Sequence, residues 1–444
     1  MALTAGQNRR FTEVGPGTPM GELLRRYWHP IAAVDQFEGT SKRPVTIMGE
    51  ELVLYRLPDG TFGLVERHCP HRRADFANGY VESDGIRCSY HGWKFDPSGQ
   101  CVEQPYEEQA SDGTKFRERV CAVSYQVEAR YGLVWAYLGP GEPPLIPAWE
   151  PFVTPNCYAQ IMFHEVGCNW FQCQENSNDP VHFEWLHDNW APGRALDDVA
   201  DPSSYRPTHV QLGFEEWEYG FVYRRLKVGE DESADSWTNG RLAMVPNLFA
   251  PLHFEWRVPI DDARTLSVVW VADRVVEERL PFTQSTVHSW YGVTYDEHGR
   301  PLDTHVLHQD VLSWEGQGVI ADRTRENLGR SDRGVQMMRN RLEADMQAVE
   351  RGKDPSGLIR DPERNRCIKW PTATINHYVA PATSASVAAH SELIHTLLPF
   401  LAPEDNFFLI AGQPSHIRAE WDYLRGLSDE RPATLVDGSP SDGA

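Results

Sequence analysis

The pattern of apolar and polar positions divides the chain into a strand-rich first part and a mixed second part. Near the start, Thr18-Pro19 followed by MGELLRRYW reads as an N-cap, a proline at the first helical position and a short amphipathic helix. VTIMGEELVLYRLPDGTFGLVERHC then shows two apolar runs joined by Pro58-Asp59-Gly60, which predicts a hairpin. Asp96-Pro97-Ser98-Gly99 predicts another turn, and the strands in VCAVSYQVEARYGLVWAYLG close this part at Gly139. Residues 139–152, GPGEPPLIPAWEPF, are rich in proline and predict a linker, with a domain boundary near 150. Beyond it, IMFHEVGCNW predicts a strand, and FQCQENSNDPVHFEWLH predicts a helix from about Pro180. Residues 205–295 alternate in strand fashion. Residues 331–352 carry apolar positions at helical spacing, with Ser331 as cap and Gly352 as stop. Residues 389–402 predict one more helix, and the polar tail from 427 is expected to be disordered. No internal repeat is visible.

At 444 residues the chain is too long for one typical core. Its 41% hydrophobic and 24% charged residues are ordinary for a globular protein. The net charge of −22 opposes binding to nucleic acid or to an anionic membrane, although a local arginine can still hold an anionic substrate. No apolar run approaches the length of a membrane span. The opening MALTAGQNRRFTEVG has no apolar h-region, so a cytoplasmic location is expected. Of the eight cysteines, Cys101, Cys121, Cys157, Cys168, Cys173 and Cys367 show no framework spacing and read as reduced thiols.

Cys69-Pro70-His71, sixteen intervening residues and then Cys88-Ser89-Tyr90-His91 change the picture. Two thiolates and two imidazoles suit zinc, iron or an iron–sulfur cluster. The C-x-H pair departs from the C-x2-4-C of common structural zinc sites. In a Rieske [2Fe–2S] centre two cysteines hold one iron and two histidines the other.

Glu175-x3-Asp179-x2-His182-x4-His187 is a second constellation. Two imidazoles and a carboxylate form the facial triad of non-haem Fe(II) oxygenases, which leaves iron positions open. In an α-helix, residues five apart are rotated by about 140°, so a bent or broken segment is needed to bring His182 and His187 together. Asp179-Pro180 marks a helix start, which offers Asp179 the alternative role of an N-cap.

CPHRRADFANG, IRCSYHGWKFDPSGQC and the acid-x3-Asp-x2-His-x4-His pattern together resemble the Rieske non-haem iron oxygenases over nearly the whole chain. The resemblance implies an α+β protein: a helical arm (1–40), an all-β Rieske domain (41–150), a helix-grip catalytic domain (151–426) and a tail (427–444). It implies that Cys69, His71, Cys88 and His91 bind the [2Fe–2S] cluster, and that His182 and His187 bind a mononuclear Fe(II). Asp179 becomes a bridging carboxylate between His182 and His91 of a neighbouring subunit, within a head-to-tail homotrimer or a stacked hexamer. Glu175 stands outside the ligand set, with a purely structural role as the alternative.

The third ligand lies downstream. HQDVLSWEGQGVIADRTRENLGRSDRGVQMMR resembles the phthalate-type branch, and there Asp310 aligns with the ligand; Asp303, Glu315 and Asp322 are its rivals. His308 is a candidate neighbour of the site, or else a solvent-facing side chain. Arg73 stands where many Rieske oxygenases have glycine, and the Arg-Arg-Ala phrase is common in the phthalate-type branch. CNWFQCQENSNDPVHFEWLHD further resembles the aryl O-demethylases.

Dioxygen activation needs two electrons per turnover, one from each centre. No G-x-G-x-x-G turn is present, so electrons are expected from a separate reductase or ferredoxin fed by NAD(P)H. The acidic surface suits a basic patch on that donor. The expected reaction is O-demethylation of a carboxylated, methoxylated, lignin-derived arene. Ring mono- or dihydroxylation of an aromatic acid is the alternative, and a Rieske electron-transfer protein or a structural zinc protein are the readings from other classes. Pocket residues are expected in 205–260 and 290–315. Arg257 is either a clamp for a substrate carboxylate or a structural cation.

Overall fold

The computed structural model describes residues 2–109, 113–188, 208–250, 253–303, 305–371, 382–389 and 412–435. Helices α1 (Ala5–Thr12) and α2 (Pro19–Leu24) lead the chain, and the Thr18 side chain caps α2 by accepting from the Gly21 N–H. Strands β1 (Trp28–Ala33), β2 (Lys42–Ile47), β3 (Glu50–Arg56) and β4 (Phe62–Glu66) follow. The short strands β5 (Tyr80–Glu82), β6 (Gly85–Arg87), β7 (Lys94–Phe95) and β8 (Cys101–Glu103) form their own four-stranded sheet. β9 (Ser124–Arg130) and β10 (Leu133–Tyr137) complete a six-stranded sheet in the order β1-β10-β9-β4-β3-β2. β3 and β4 are the hairpin expected around Pro58-Asp59-Gly60, where Gly60 takes a φ of 91°. β1 lies inside the stretch expected to be an N-terminal arm; it pairs with β10 because all six of its residues are buried and need ladder partners.

The second part is built on an eight-stranded sheet, ordered β12 (His209–Trp217), β13 (Gly220–Lys227), β14 (Arg241–Met244), β15 (Leu248–Ala250), β16 (Phe254–Pro259), β17 (Thr265–Arg274), β11 (Cys157–Val166) and β18 (His288–Tyr291). All pairs are antiparallel except β11 with β18. Helices α3 (Trp170–Asn176), α4 (Val306–Gly316), α5 (Arg333–Glu350) and α6 (Ser415–Leu424) accompany it, so the chain is α+β. Gly352 ends α5 with a φ of 71°, as expected. Ser331 is not the cap of α5: Asp332 holds that position, and its carboxylate turns back to the Gly329 N–H. The expected helix at 389–402 lies, beyond Ala389, outside the described residues. The stretch expected to be disordered is packed at Leu435, which is buried against Ile417 and Leu424.

The proline-rich stretch 139–152 is not a free linker. Leu145 and Glu150 donate backbone hydrogen bonds to Ile359 and Ile368, and Trp149 is buried. Phe152 stacks on Tyr131 of the first part (4.2 Å) and on Phe254 of the second (4.7 Å). Burial of aromatic area on both sides joins the two sheets into one continuous core.

Candidate metal centres

The loops β4–β5 and β6–β7 carry the two Cys/His pairs. Cys69 and Cys88 are buried at 1% and 2% exposure, and their thiols are in contact. The His71 and His91 rings lie edge to face with centroids 4.5 Å apart, and Trp93 stacks on His71 at 4.1 Å. The loops thus bring thiol to thiol and imidazole to imidazole. Burial, with Cys88 alongside, pushes the Cys69 thiol up to about 12, opposed by a hydrogen bond from the His71 backbone. A thiolate is therefore sustained there only beside a cation. Burial and the neighbouring His91 lower the pKa of His71, which favours the neutral imidazole a metal needs. This donor set fits a [2Fe–2S] cluster with two ligands of each kind.

The two loops share one backbone frame. The Cys69 N–H donates to the Ala74 carbonyl and Arg73 N–H to Cys69; the Cys88 N–H donates to Trp93 and Gly92 N–H to Cys88. The fifth position of each loop has a positive φ, 62° at Arg73 and 75° at Gly92. Glycine is the natural occupant of such a position, so Arg73 is the exception of the two. Arg73 is held by its guanidinium, which binds Glu66 and the His68 carbonyl.

The second constellation straddles a helix break. α3 ends at Asn176, earlier than the helix expected from Pro180, and Asp179 accepts the Val181 N–H at 2.9 Å, in the capping geometry considered as its alternative role. Residues Phe183–Asp188 then form a π-helical turn. Its i→i+5 hydrogen-bonding period sets residues five apart one above another, which supplies the bend that His182 and His187 require. α4 brings Asp310 against this turn. His187 Nε2 lies 3.4 Å and His182 Nε2 3.8 Å from Asp310 Oδ1, and ligand atoms of the three all fall within 4.8 Å of one another. Asp303, Glu315 and Asp322 are not in this group; Glu315 binds the Gly167 N–H and Asp322 caps Thr324. Burial opposes ionisation of Asp310, but His187 and His182 outweigh it and hold the carboxyl below its usual value. Three convergent donors, with a cavity on one side, fit a non-haem ferrous ion.

The outer contacts complete the site. Asp179 Oδ2 is 3.8 Å from His182 Nδ1; against the cost of burial, His182 keeps the Asp179 carboxyl below its ordinary value. His187 Nδ1 is 2.9 Å from Gln309 Oε1, so Nδ1 carries the hydrogen and Nε2 keeps its lone pair for a metal. Asn176 donates to Asp310 Oδ1 at 3.2 Å. Sequence reasoning assigned no role to Gln309 or Asn176, although Gln309 stands in the Gln-Asp phrase that marked Asp310. Glu175 faces away from the triad and binds Arg323 (2.6 Å) and Arg339 (2.5 Å). His308 is buried, not solvent-facing, and its Nε2 lies 2.8 Å from the Val293 carbonyl.

The cavity beside the triad is lined by Phe183, Phe249, Val306 and Leu307 and by Arg241, His253, Glu255 and Arg257. Alternation along β16 puts Glu255 and Arg257 on one face, paired at 2.8 Å. Against burial, Arg257 and His253 hold the Glu255 carboxyl well below its ordinary range. Arg257 also lies over the Trp314 ring at 5.1 Å. It is therefore a structural cation that nevertheless borders the cavity.

A Rieske [2Fe-2S] domain model matches residues 27–123. The chain is 45% identical over 431 residues to the 5,5'-dehydrodivanillate O-demethylase oxygenase subunit of Sphingobium sp. strain SYK-6, covering 97% of this chain and 99% of that one. It is 29% identical to the phthalate 4,5-dioxygenase oxygenase subunit of Pseudomonas putida, covering 80% and 89%. The fold is shared with an oxygenase in the ferredoxin complex of carbazole 1,9a-dioxygenase, with a TM-score of 0.55 at 18% identity over 79% of this chain and 99% of that one. Near-complete coverage at that first identity, with a Rieske domain and a His/Asp triad in one chain, makes this protein an oxygenase subunit of the Rieske non-haem iron oxygenase family, an oxidoreductase that uses a [2Fe–2S] cluster and a mononuclear iron.

Proposed function

We propose that this subunit removes the methyl group of a carboxylated, methoxylated arene, with electrons from a separate reductase or ferredoxin. The 45% identity over 97% of the chain to a dehydrodivanillate O-demethylase subunit carries the reading. Cys69 and Cys88 then hold one cluster iron, His71 and His91 the other, and His182, His187 and Asp310 hold the mononuclear iron. When bound, these centres supply dioxygen reduction by two electrons. One oxygen atom enters the methyl C–H bond and the other leaves as water, taking up two protons. The resulting hemiacetal breaks its methyl carbon–oxygen bond to give formaldehyde and a phenol.

The chain's own residues shape the outcome. Phe183, Phe249, Val306 and Leu307 offer an apolar slot for a ring, and Arg241 places positive charge at its wall for a carboxylate, while the charge of Arg257 is taken up by Glu255. This inner cavity holds about 60 Å³, and a wider concavity of about 550 Å³ lies on the other side of His182. Gln309 and Asp179 orient the two imidazoles.

A head-to-tail homotrimer, single or stacked, follows from the same reading. Asp179 is 30% exposed in the single chain and lies in an open concavity with Trp185, Leu186 and Leu328, where a neighbour's His91 can reach it. On the same reading the division between the Rieske and catalytic domains lies near residue 150. Among the described residues no helix is long and apolar enough to cross a membrane. A cytoplasmic location belongs to the same reading, supported by the reduced state of the six cysteines outside the cluster ligands and by the need for NAD(P)H. Ring hydroxylation is the second reading, favoured by the phthalate dioxygenase relative. Product analysis with a reductase, NADH and a panel of methoxylated and plain aromatic acids decides between them: formaldehyde equimolar with substrate consumed supports demethylation, whereas a diol without formaldehyde overturns it.

A further inference from the structure

In the duplicated frame of the two ligand loops, the residue before the cysteine and the fifth residue of the loop are joined across the base by an arginine, in opposite directions. In the first loop Arg73, at the fifth position, sends Nη1 to the carbonyl of His68, the residue before Cys69, at 3.0 Å. In the second, Arg87, the residue before Cys88, sends Nη1 to the carbonyl of Gly92, the fifth position, at 2.7 Å. Both arginines are anchored from behind. Arg73 binds Glu66. Arg87 binds Glu82 through two nitrogens and Glu103 through a third contact. Lys94, 6% exposed, shares Glu82 and Glu103 with Arg87, binds Asp84 besides and locks the same network. Arg87, 20% exposed and held by two carboxylates, is a preorganised donor with little freedom left to lose, whereas Arg73 is 63% exposed and held by Glu66 and the closing bond alone. The arrangement also accounts for Arg73 itself. A side chain in the left-handed region is strained, and here the side chain that incurs the strain makes the closing bond.

We propose that Arg73 and Arg87 are paired positioning residues that close the bases of the two ligand loops and so set how tightly the [2Fe–2S] cluster is held and at what potential it is reduced. The inference rests on Cys69, His71, Cys88 and His91 being the cluster ligands. Arg87 also places a cation beside the second loop, among Glu82, Asp84 and Glu103; its removal leaves that side more negative and disfavours added electrons.

The test uses the assembled oxygenase with both iron centres, comparing R87M, R87K, R73A and R73G with the parent. The visible absorbance of the cluster is followed in excess chelator, and its midpoint potential and EPR spectrum are recorded. R87M should bleach about tenfold faster, the effect of losing one charge-assisted hydrogen bond, or about 1.4 kcal/mol. Its potential should fall. R87K should fall between R87M and the parent, because an ammonium restores the charge but not the fork. R73A should also bleach faster than the parent, and R73G less so, because glycine removes the backbone strain. Parental bleaching rates, potential and EPR signal in R87M and R73A overturn the proposal. So does a lowered unfolding temperature with an unmoved potential in R87M. If R87M does not fold, parental behaviour of both R87K and R73G overturns it equally. A parent protein without acid-labile sulfide instead sinks the ligand assignment beneath it, a separate and recognisable failure.

Discussion

Replacing Glu175 by glutamine separates structure from chemistry beside the catalytic iron site. Glu175 precedes Asp179 in the same motif, yet its carboxylate lies between Arg323 and Arg339, whose side chains are only 2% and 7% exposed. Arg339 keeps Glu326 as a second partner, whereas Arg323 has Glu175 as its only ion-pair partner among the described residues. E175Q keeps the shape and removes the charge. Breaking a buried pair by neutralising one member costs about 3–5 kcal/mol, because the other charge stays buried without compensation. With an unfolding entropy of about 2.1 cal/mol/K per residue, a cooperative unit of this length should lose about 3–5 °C in Tm. The assay is thermal unfolding followed by circular dichroism, beside iron analysis of the same preparation. Both iron contents should stay at the parental level, and turnover per intact molecule below Tm should stay within about twofold. A variant that melts with the parent but has lost turnover would refute the structural role and place Glu175 in the chemistry.

Three further outcomes follow from the geometry. Asp179→Ala should retain both irons and the reduced-cluster spectrum while coupled product formation falls about 10–100-fold, because the ligands survive and the link to His182 is lost; full activity would remove Asp179 from the electron route. His182→Ala should lose the mononuclear iron and keep the visible spectrum of the cluster; iron and sulfide analysis checks this, and loss of the cluster instead would mean that the two sites have been exchanged. His29 is fully buried, with Nε2 bound to the Leu24 carbonyl, and burial lowers its pKa to about 4. The folded state therefore refuses a proton that the unfolded chain binds below about 6.5, so stability is present above that pH and is lost as pH falls towards 4. Between pH 7 and pH 5 this group should account for about 2 kcal/mol of loss, read from urea midpoints, and His29→Gln should flatten that part of the profile.

Local spacing was enough to mark out most of the candidate donors. A cysteine and a histidine one or two residues apart can point into one loop whatever surrounds them, so both pairs were legible, and so were the hairpin at Pro58-Asp59-Gly60 and the stop at Gly352. Asp179, His182 and His187 were readable as a cluster, but the π-helical turn that aligns the two imidazoles was not, because it depends on packing against α4. Asp310 could be chosen among its rivals only through family resemblance; convergence over such a separation is decided by how α4 lies on the sheet. Gln309, 122 residues from His187, joins the site for the same reason. Arg257 shows the limit most plainly. Its sequence context allowed a free clamp or a structural cation, and only the pleat of β16, which sets Glu255 beside it in a dry interior, decided for the ion pair. The proline-rich stretch 139–152 looked like a linker because composition reports local stiffness, whereas its burial between two aromatic faces is a property of the assembled core. Residue order determined which donors exist and which short loops hold them; the long-range packing of strands and helices decided which of those donors meet.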